Sequence, residues 1–287
     1  MKRVLNMITA AALFVALAHV VVAGGESEGA AASSEQETVV IRWIGTENPD
    51  SREPVAMAFE EQYPNIDIRY EQVPFADLNS VVQTRIGRGD STPDIFNADQ
   101  PRVPGLAERG FLLELNDFRD EMEQTQFRAS IEASSWNGNI YAFPVSTTSN
   151  IMFYNKTHLD NAGIDYPTSD PSGRLTWEEL LPMARQAQDA GAEWGVMFDQ
   201  VNRYYQLQPL FESLGGGSGL TGENNLTPAI TNDAWIESME FYQGLFVDGY
   251  APRGVPPSQS PDLFANGQVT FWVGGPWHLP RFREEAD

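Results

Sequence analysis

Strand-like and helix-like segments alternate along residues 39–109, and this alternation restricts the possible folds more than any other feature of the chain. Runs of β-branched and aromatic residues are typical of strands, and apolar residues spaced three or four apart are typical of helices. The strand-like runs lie at 39–44, 66–70 and 93–96, and each is followed by a helix-like segment. This order requires a mostly parallel sheet with helices on both faces, so we predict an α/β fold.

Capping signals and apolar spacing predict the ends and buried faces of individual helices. Asp50 with Glu53 is expected to cap the first helix, and Thr231 a long helix near the end of the chain. Thr176 and Glu179 have the spacing of a capping box. The side chains expected to be buried on the first helix are Val55, Ala58 and Phe59. Those expected to be buried on the long helix are Trp235, Ile236, Met239, Tyr242 and Leu245.

Polar side chains follow the first and third predicted strands. Ligands of parallel α/β sheets bind beyond the carboxyl ends of the strands. The side chains at these positions are Thr46, Glu47 and Asn48 after the first strand, and Asn97, Asp99 and Gln100 after the third. They are candidates for ligand contact, and the alternative for each is a helix cap or a solvated loop residue.

A polar patch at residues 146–150 separates two apolar, strand-like runs within residues 141–156. An Asn-Gly pair at 137–138 predicts a tight turn that leads into this stretch. All five side chains of the patch, which include Thr148 and Asn150, both donate and accept hydrogen bonds. The patch suits a cleft for a neutral polyhydroxyl ligand, and the alternative is a polar loop between two core strands.

The first 37 residues are expected to precede the folded part of the chain. Residues 1–23 have a basic start, an apolar middle and a small-residue end, which is typical of a secretory signal peptide. The alternative is an uncleaved anchor, although the apolar run is short for a span of about 20 residues. Residues 24–37 lack large apolar side chains and are predicted to be a flexible leader. We therefore expect a periplasmic, secreted or cell-surface protein.

Charge and cysteine content exclude several classes of function. The chain of 287 residues has a formal net charge of −22, which disfavours nucleic acid and anionic membranes as partners. It contains no cysteine, so disulfides, thiolate metal sites, thiol catalysis and a lipid-modified cysteine are excluded. No cofactor and no metal are predicted.

No arrangement of residues in the sequence supports catalysis. A secreted glycosidase needs two carboxylates that face each other across a cleft. The adjacent glutamate pairs point to different sides of a helix, and they lie at 60–61, 178–179 and 284–285. Nucleophile-elbow and phosphate-loop patterns do not occur, and neither His158 nor His278 belongs to a metal-ligand pair. We predict a protein that is not an enzyme.

Nine short motifs stand in an order that resembles the family 1 extracellular solute-binding proteins. They are FEEQYPNI at 59–66, PDI at 93–95, GFLL at 110–113, GNIYAFP at 138–144, FYNK at 153–156, AGI at 162–164, TWEEL at 176–180, FANG at 264–267 and GGPW at 274–277. The family contains the sugar-type receptors of bacterial ABC importers, among them maltose- and glycerol-phosphate-binding proteins. The resemblance implies a type II periplasmic-binding-protein fold with an N-terminal lobe at 38–146 and a C-terminal lobe at 147–287.

The resemblance also implies which loops face the ligand in the cleft between the lobes. The residues of this chain that match those loops are Glu47, Asp99, Gln100, Thr148, Asn150, Arg203, Tyr204, Gly275 and Trp277. Trp277 lies in a Gly-rich turn and is the candidate for stacking on a sugar ring. For Arg203 two interpretations stay open, contact with a ligand or neutralisation of the nearby Asp199.

The function implied by the resemblance is capture of a sugar or oligosaccharide by a monomeric receptor and its delivery to ABC permease subunits. The alternatives are a receptor for a polyol or sugar phosphate, with Arg203 as the anion partner, and a secreted carbohydrate-cleaving enzyme. The chain departs from the family pattern by ending ten residues after Trp277, where family members continue. We therefore expect a chain truncated at its C-terminus, with an incomplete C-terminal lobe.

Overall fold

The structure, a computed structural model, describes residues 37–90, 92–199 and 202–285. The predicted signal peptide, and the predicted leader except for Glu37, lie outside these residues. The chain divides into two compact units, Met1–Val145 and Ser146–Asp287, called here the first and the second unit. The lobe boundaries given by the family resemblance stay a prediction.

The first unit is built on a small parallel sheet. The strands of this unit are β1 (Val39–Gly45), β2 (Ile66–Gln72), β3 (Ile95–Phe96), β4 (Ser135–Trp136) and β5 (Asn139–Ile140). Its helices are α1 (Pro49–Gln62), α2 (Phe75–Gly87), α3 (Val103–Glu108), α4 (Arg119–Thr125) and α5 (Arg128–Ala133). Strand β1 pairs in parallel with β2 on one side and β3 on the other, as the alternation of strands and helices predicts.

The cap and the buried face predicted for α1 are both wrong. Asn48 caps the helix, because its side chain accepts a hydrogen bond from the Asp50 N–H at 3.0 Å and Pro49 occupies the first helical position. Ala56 is buried, whereas Val55 and Ala58 are exposed and Phe59 is half-buried. The inward face instead carries polar contacts with the sheet, since the Glu60 carboxylate accepts from the Ile68 N–H of β2 at 2.7 Å. These contacts determine the rotation of the helix.

The predicted Asn-Gly turn is confirmed, but the strand predicted after it is not formed. Asn137 and Gly138 both have positive φ, 49° and 82°, and join β4 to β5. Positive φ at both central residues defines the turn that matches the twist of a hairpin. Residues 141–150 contain no strand. Pro144 cannot donate a ladder hydrogen bond, which is consistent with the end of sheet pairing there.

The second unit is built on a mixed sheet. The strands of this unit are β6 (Ile151–Tyr154), β7 (Trp194–Phe198), β8 (Leu220–Thr221), β9 (Thr227–Pro228) and β10 (Val269–Gly274). Its helices are α6 (Lys156–Ala162), α7 (Trp177–Asp189), α8 (Tyr204–Ser213), α9 (Asp233–Val247), α10 (Ser260–Ala265) and α11 (Leu279–Glu285). Strand β10 lies in the centre, parallel to β7 and antiparallel to β6. All six residues of β10 are buried, as expected for a strand covered on both faces.

Helix signals in the second unit are confirmed at α7 and partly wrong at α9. The capping box of α7 is formed, with Thr176 and Glu179 bonded reciprocally at 3.2 and 2.9 Å. Asn232, not Thr231, caps α9, because its side chain accepts from the Trp235 N–H at 2.9 Å.

The rotation of α9 differs from the prediction. Trp235 and Leu245 are buried and Tyr242 is half-buried, but Ile236 and Met239 are about half exposed. The Trp235 ring stacks on Phe211 of α8 at 3.8 Å between ring centroids. This contact holds the helix at a rotation that leaves a second apolar stripe outside.

The described residues contain no helix that is both long enough and apolar enough to cross a lipid bilayer.

Candidate functional site

The loops after β1 and β3 meet at the carboxyl edge of the first unit's sheet. The Asn97 amide donates to the Glu47 carboxylate at 3.5 Å, and its oxygen accepts from the Trp43 indole N–H at 2.8 Å. Parallel strands bring these loops together because all three end at the same edge of the sheet. The pattern of strands and helices placed both residues correctly.

Glu47 is held by partners that the sequence did not indicate. Its carboxylate pairs with Arg52 of α1 at 2.8 Å, and the Arg52 guanidinium lies 5.5 Å from the centre of the Trp43 ring. The Tyr70 hydroxyl donates to the Glu47 carbonyl at 2.9 Å. Burial, followed by the Glu47 carboxylate, raises the pKa of Tyr70. The Glu47 side chain keeps 35% of its surface exposed, so it is oriented and still reachable by a ligand.

Gly45 makes this arrangement possible. A Cβ atom at this position would lie 2.6 Å from the Tyr70 hydroxyl and 2.8 Å from the Asn97 amide oxygen. Real Cβ atoms essentially never approach other atoms so closely. The glycine that marks the end of β1 in the sequence therefore admits the side chains that surround Glu47.

Asp99 and Gln100 also follow β3, but they do not share one environment. Asp99 is half-buried and lines a cavity of about 20 Å³ between α2, α3 and the β3 loop. A cavity of this size holds about one water molecule. Gln100 is exposed and begins a 3₁₀ turn. The first unit therefore brings Glu47 and Asn97 into contact and places Asp99 and Gln100 further along the same loop.

Strand register places three loop segments of the second unit at one sheet edge. Ile151 of β6 is opposite Gly274 of β10, and Phe198 of β7 is opposite Val273. Because β6 is antiparallel, the segment that enters it lies at the edge where β7 and β10 end. Asn150, Asp199 and Gly275 therefore lie at the same edge.

The polar side chains of this edge belong to the polar patch at residues 146–150 and to the start of α8. The Asn150 amide donates to the Gln206 carbonyl at 2.9 Å, and Arg203 is the N-cap residue of α8. Tyr204 is 47% exposed, and its pKa is raised by burial and then by Glu212. Thr148 is exposed, two residues before Asn150. These groups can donate to and accept from ligand hydroxyls.

Trp277 supplies an aromatic surface at the same edge. It is 43% exposed, and its ring lies against Gly275, where no side chain would fit. Two neighbours of Trp277 were not predicted as site residues. They are His278 and the fully buried Asp199, and the His278 Nε2 atom lies 3.3 Å from the Asp199 Oδ2 atom. The position of Asp199 directly after a strand was the only sequence signal for it.

The nine predicted site residues thus form two groups, one at the carboxyl edge of each unit's sheet. Carboxylates, amides, a guanidinium and a half-exposed indole are the groups with which proteins bind polyhydroxyl rings. Among the described residues no three His, Asp or Glu side chains are clustered so that they could hold a metal ion. That both groups contact one ligand stays a prediction.

An α/β architecture with polar loops at its sheet edges defines a class of ligand-binding proteins, and sequence comparison identifies the family. Residues 45–282 match the bacterial extracellular solute-binding proteins, and the chain belongs to this family. The resemblance stated from the motifs is confirmed.

Individual relatives are similar over most of this chain. A galactooligosaccharide-binding protein of Bacillus subtilis is 22% identical over 270 residues, 90% of this chain and 60% of the relative. An arabinooligosaccharide-binding protein of Halalkalibacterium halodurans is 25% identical over 272 residues, 91% of this chain and 57% of the relative. The chain therefore spans less than two thirds of the length of these curated relatives.

Solved structures confirm the predicted fold class. An ABC substrate-binding protein from Listeria monocytogenes, in complex with cycloalternan, superposes with a TM-score of 0.74 at 24% identity. The match covers 87% of this chain and 64% of that chain. The fold is the two-lobe α/β fold of periplasmic binding proteins.

Proposed function

We propose that this protein is a non-catalytic extracellular receptor that captures a sugar or oligosaccharide and delivers it to an ABC importer. Its family supports a solute receptor, and the relatives named above bind oligosaccharides. The observation that carries the proposal is the edge of the second unit's sheet, where the segments that carry the half-exposed Trp277, Asn150 and Tyr204 all lie. Stacking and hydroxyl contacts from one edge are how proteins recognise sugar rings.

The remaining parts of the proposal follow from the same role. Residues 1–23 act as an export signal, the protein works as a monomer in the periplasm or at the cell surface, and its protein partners are the ABC permease subunits. The nine residues named from the family resemblance contact the ligand.

A sugar phosphate or polyol phosphate is the second candidate ligand. Arg203 is the N-cap residue of α8, a helix of ten residues, and a helix N-terminus favours bound anions. Under this alternative Arg203 contacts the phosphate, and the same edge binds the hydroxyl groups.

Calorimetry with matched ligands tests the proposal. The full chain is titrated with a galactooligosaccharide, an arabinooligosaccharide, maltotriose and glucose 6-phosphate, and each mixture is then incubated overnight and analysed for products. We expect saturable binding of a neutral sugar without cleavage. New reducing ends would overturn the receptor role in favour of an enzyme, and binding of the phosphate alone would favour the second candidate.

A further inference from the structure

The Asp199 carboxylate is buried directly after β7, in contact with the His278 side chain. Asp199 has no exposed surface, and its N–H donates to the Val273 carbonyl of β10 at 2.8 Å. One carboxylate oxygen lies 3.3 Å from His278 Nε2, and the other has no hydrogen-bond partner among the residues that the structure describes. A buried carboxylate is costly unless it is paired, so the contact with His278 is strongly favoured.

The His278 imidazole is also held by aromatic rings on the other side. It stacks on Phe282 at 5.5 Å with an interplanar angle of 19°, and it contacts Trp272 edge to face at 5.1 Å. Its backbone N–H donates to the Gly275 carbonyl at 3.3 Å. The ring therefore links the core of the second unit to the turn that carries Trp277.

Trp277 is the next ring in this series. Its centroid lies 5.9 Å from that of His278, and it rests against Gly275 while 43% of its surface remains exposed. A Cβ at position 275 would overlap the indole. The indole therefore has Gly275 and the His278 imidazole as neighbours.

We propose that Asp199 and His278 are positioning residues that hold the Trp277 indole in the orientation that stacks on a sugar ring. This inference rests on the proposed function, and it narrows the ligand to a cyclic saccharide with an apolar ring face. An open-chain polyol presents no such face to an indole. The buried carboxylate acts through the imidazole and does not itself contact the ligand.

The test follows Trp277 in the full chain by fluorine NMR after 5-fluorotryptophan labelling, with the Trp277→Phe variant identifying its resonance. The variants are Asp199→Asn, His278→Phe and the double variant. Asp262→Asn is the matched control, because Asp262 is an acidic residue of the same unit that pairs with Arg281 outside this contact. The affinity for maltotriose, a galactooligosaccharide and an arabinooligosaccharide is measured for each protein.

We expect both single variants to shift or broaden the Trp277 resonance and to weaken sugar binding by about five-fold, the effect of one hydrogen bond. The double variant should be no weaker than His278→Phe alone, because both single changes act on the same contact. Asp262→Asn should resemble the wild type. Independent structural damage would instead give additive losses.

Two results would overturn the inference. One is a Trp277 resonance and an affinity that stay at the level of Asp262→Asn in both single variants. The other is a double variant whose losses add. If His278→Phe does not fold, the Trp277 resonance of Asp199→Asn decides the test, because this substitution preserves the shape of the Asp199 side chain. If the wild type binds none of the sugars, the proposed function falls, whereas the ligand-free resonances still show whether the pair orients the indole.

Discussion

At the scale of single residues, Gly45 is the position where one added methyl group should disturb the first unit's edge. In Gly45→Ala the new Cβ must displace the Tyr70 hydroxyl or the Asn97 amide, which lie 2.6 and 2.8 Å from it. We expect a loss of about 1–3 kcal/mol in the free energy of unfolding, measured by urea denaturation.

Gly105→Ala is the matched control for this substitution. Gly105 lies inside α3, and its Cβ would meet no atom within 4 Å. Alanine is favoured over glycine in a helix, so this variant should be neutral or more stable by up to about 1 kcal/mol. Equal losses in the two variants would contradict the close-approach explanation for Gly45.

The partly buried His158 side chain should make the stability of the fold depend on pH. Burial lowers the pKa of His158 below its ordinary 6.5, although a hydrogen bond with the Gly267 backbone partly opposes this shift. Between the two pKa values the unfolded chain binds more protons than the folded one, so stability falls as pH decreases. The contribution is complete above pH 6.5 and is lost as pH drops through that value towards the lower folded pKa.

The variant His158→Gln should therefore lose less stability than the wild type between pH 7.5 and 5.5. Thermal unfolding at both pH values gives the difference for each protein. Subtracting one protein's change in stability from the other's cancels the contribution of groups that titrate equally in both proteins. An identical or larger pH effect in His158→Gln would show that burial of this ring does not govern the acid response.

At the scale of elements, α9 offers a test of the corrected cap. Asn232 accepts from the Trp235 N–H and also donates to the Gly216 carbonyl at 3.3 Å, whereas Thr231 is an exposed residue before the helix. Asn232→Ala should lower the free energy of unfolding by about 0.5–2 kcal/mol. Thr231→Ala should change it by less than about 0.5 kcal/mol. The opposite order in urea denaturation would restore the cap predicted from the sequence.

The existence of elements was predictable where the local pattern was strong, and their rotation was not. The capping box of α7 and the Asn-Gly turn depend on a few neighbouring residues, so the sequence alone specifies them. The rotation of α9 depends on the Trp235–Phe211 stack with another helix. Apolar spacing cannot show which of two apolar stripes such a contact will bury.

The candidate site also has a part that the sequence predicted and a part that it did not. Glu47 and Asn97 were found because parallel strands end together, which is a rule of topology. Tyr70 holds Glu47 from another strand, and His278 contacts Asp199 from a distant part of the chain, so no local pattern predicts these two contacts. Arg52 pairs with Glu47 from the first turn of α1. The antiparallel direction of β6 could not be predicted from the sequence either, although it determines where Asn150 lies.

At the scale of the whole molecule, one experiment tests the ligand contacts proposed for one residue of each unit. Glu47→Gln changes the first unit and Tyr204→Phe the second, and each should weaken binding of the preferred sugar by about five-fold through loss of one hydrogen bond. Affinities come from calorimetry. Glu53→Gln, an exposed position on α1, is the control with the same chemical change as Glu47→Gln. Unchanged affinity in either variant would contradict the ligand contact proposed for that residue.

The antiparallel direction of β6 has a thermodynamic consequence for the segment that leads into it. Residues 146–149 are exposed and lead directly to Asn150, which is anchored to the first turn of α8 at the same edge. In the receptor proposed above, a ligand bound beside Asn150 would restrict the backbone of residues 146–149 as well as its own motion, so lost chain entropy would offset part of its binding free energy. The affinity of the proposed site should therefore depend on the stiffness of these four residues.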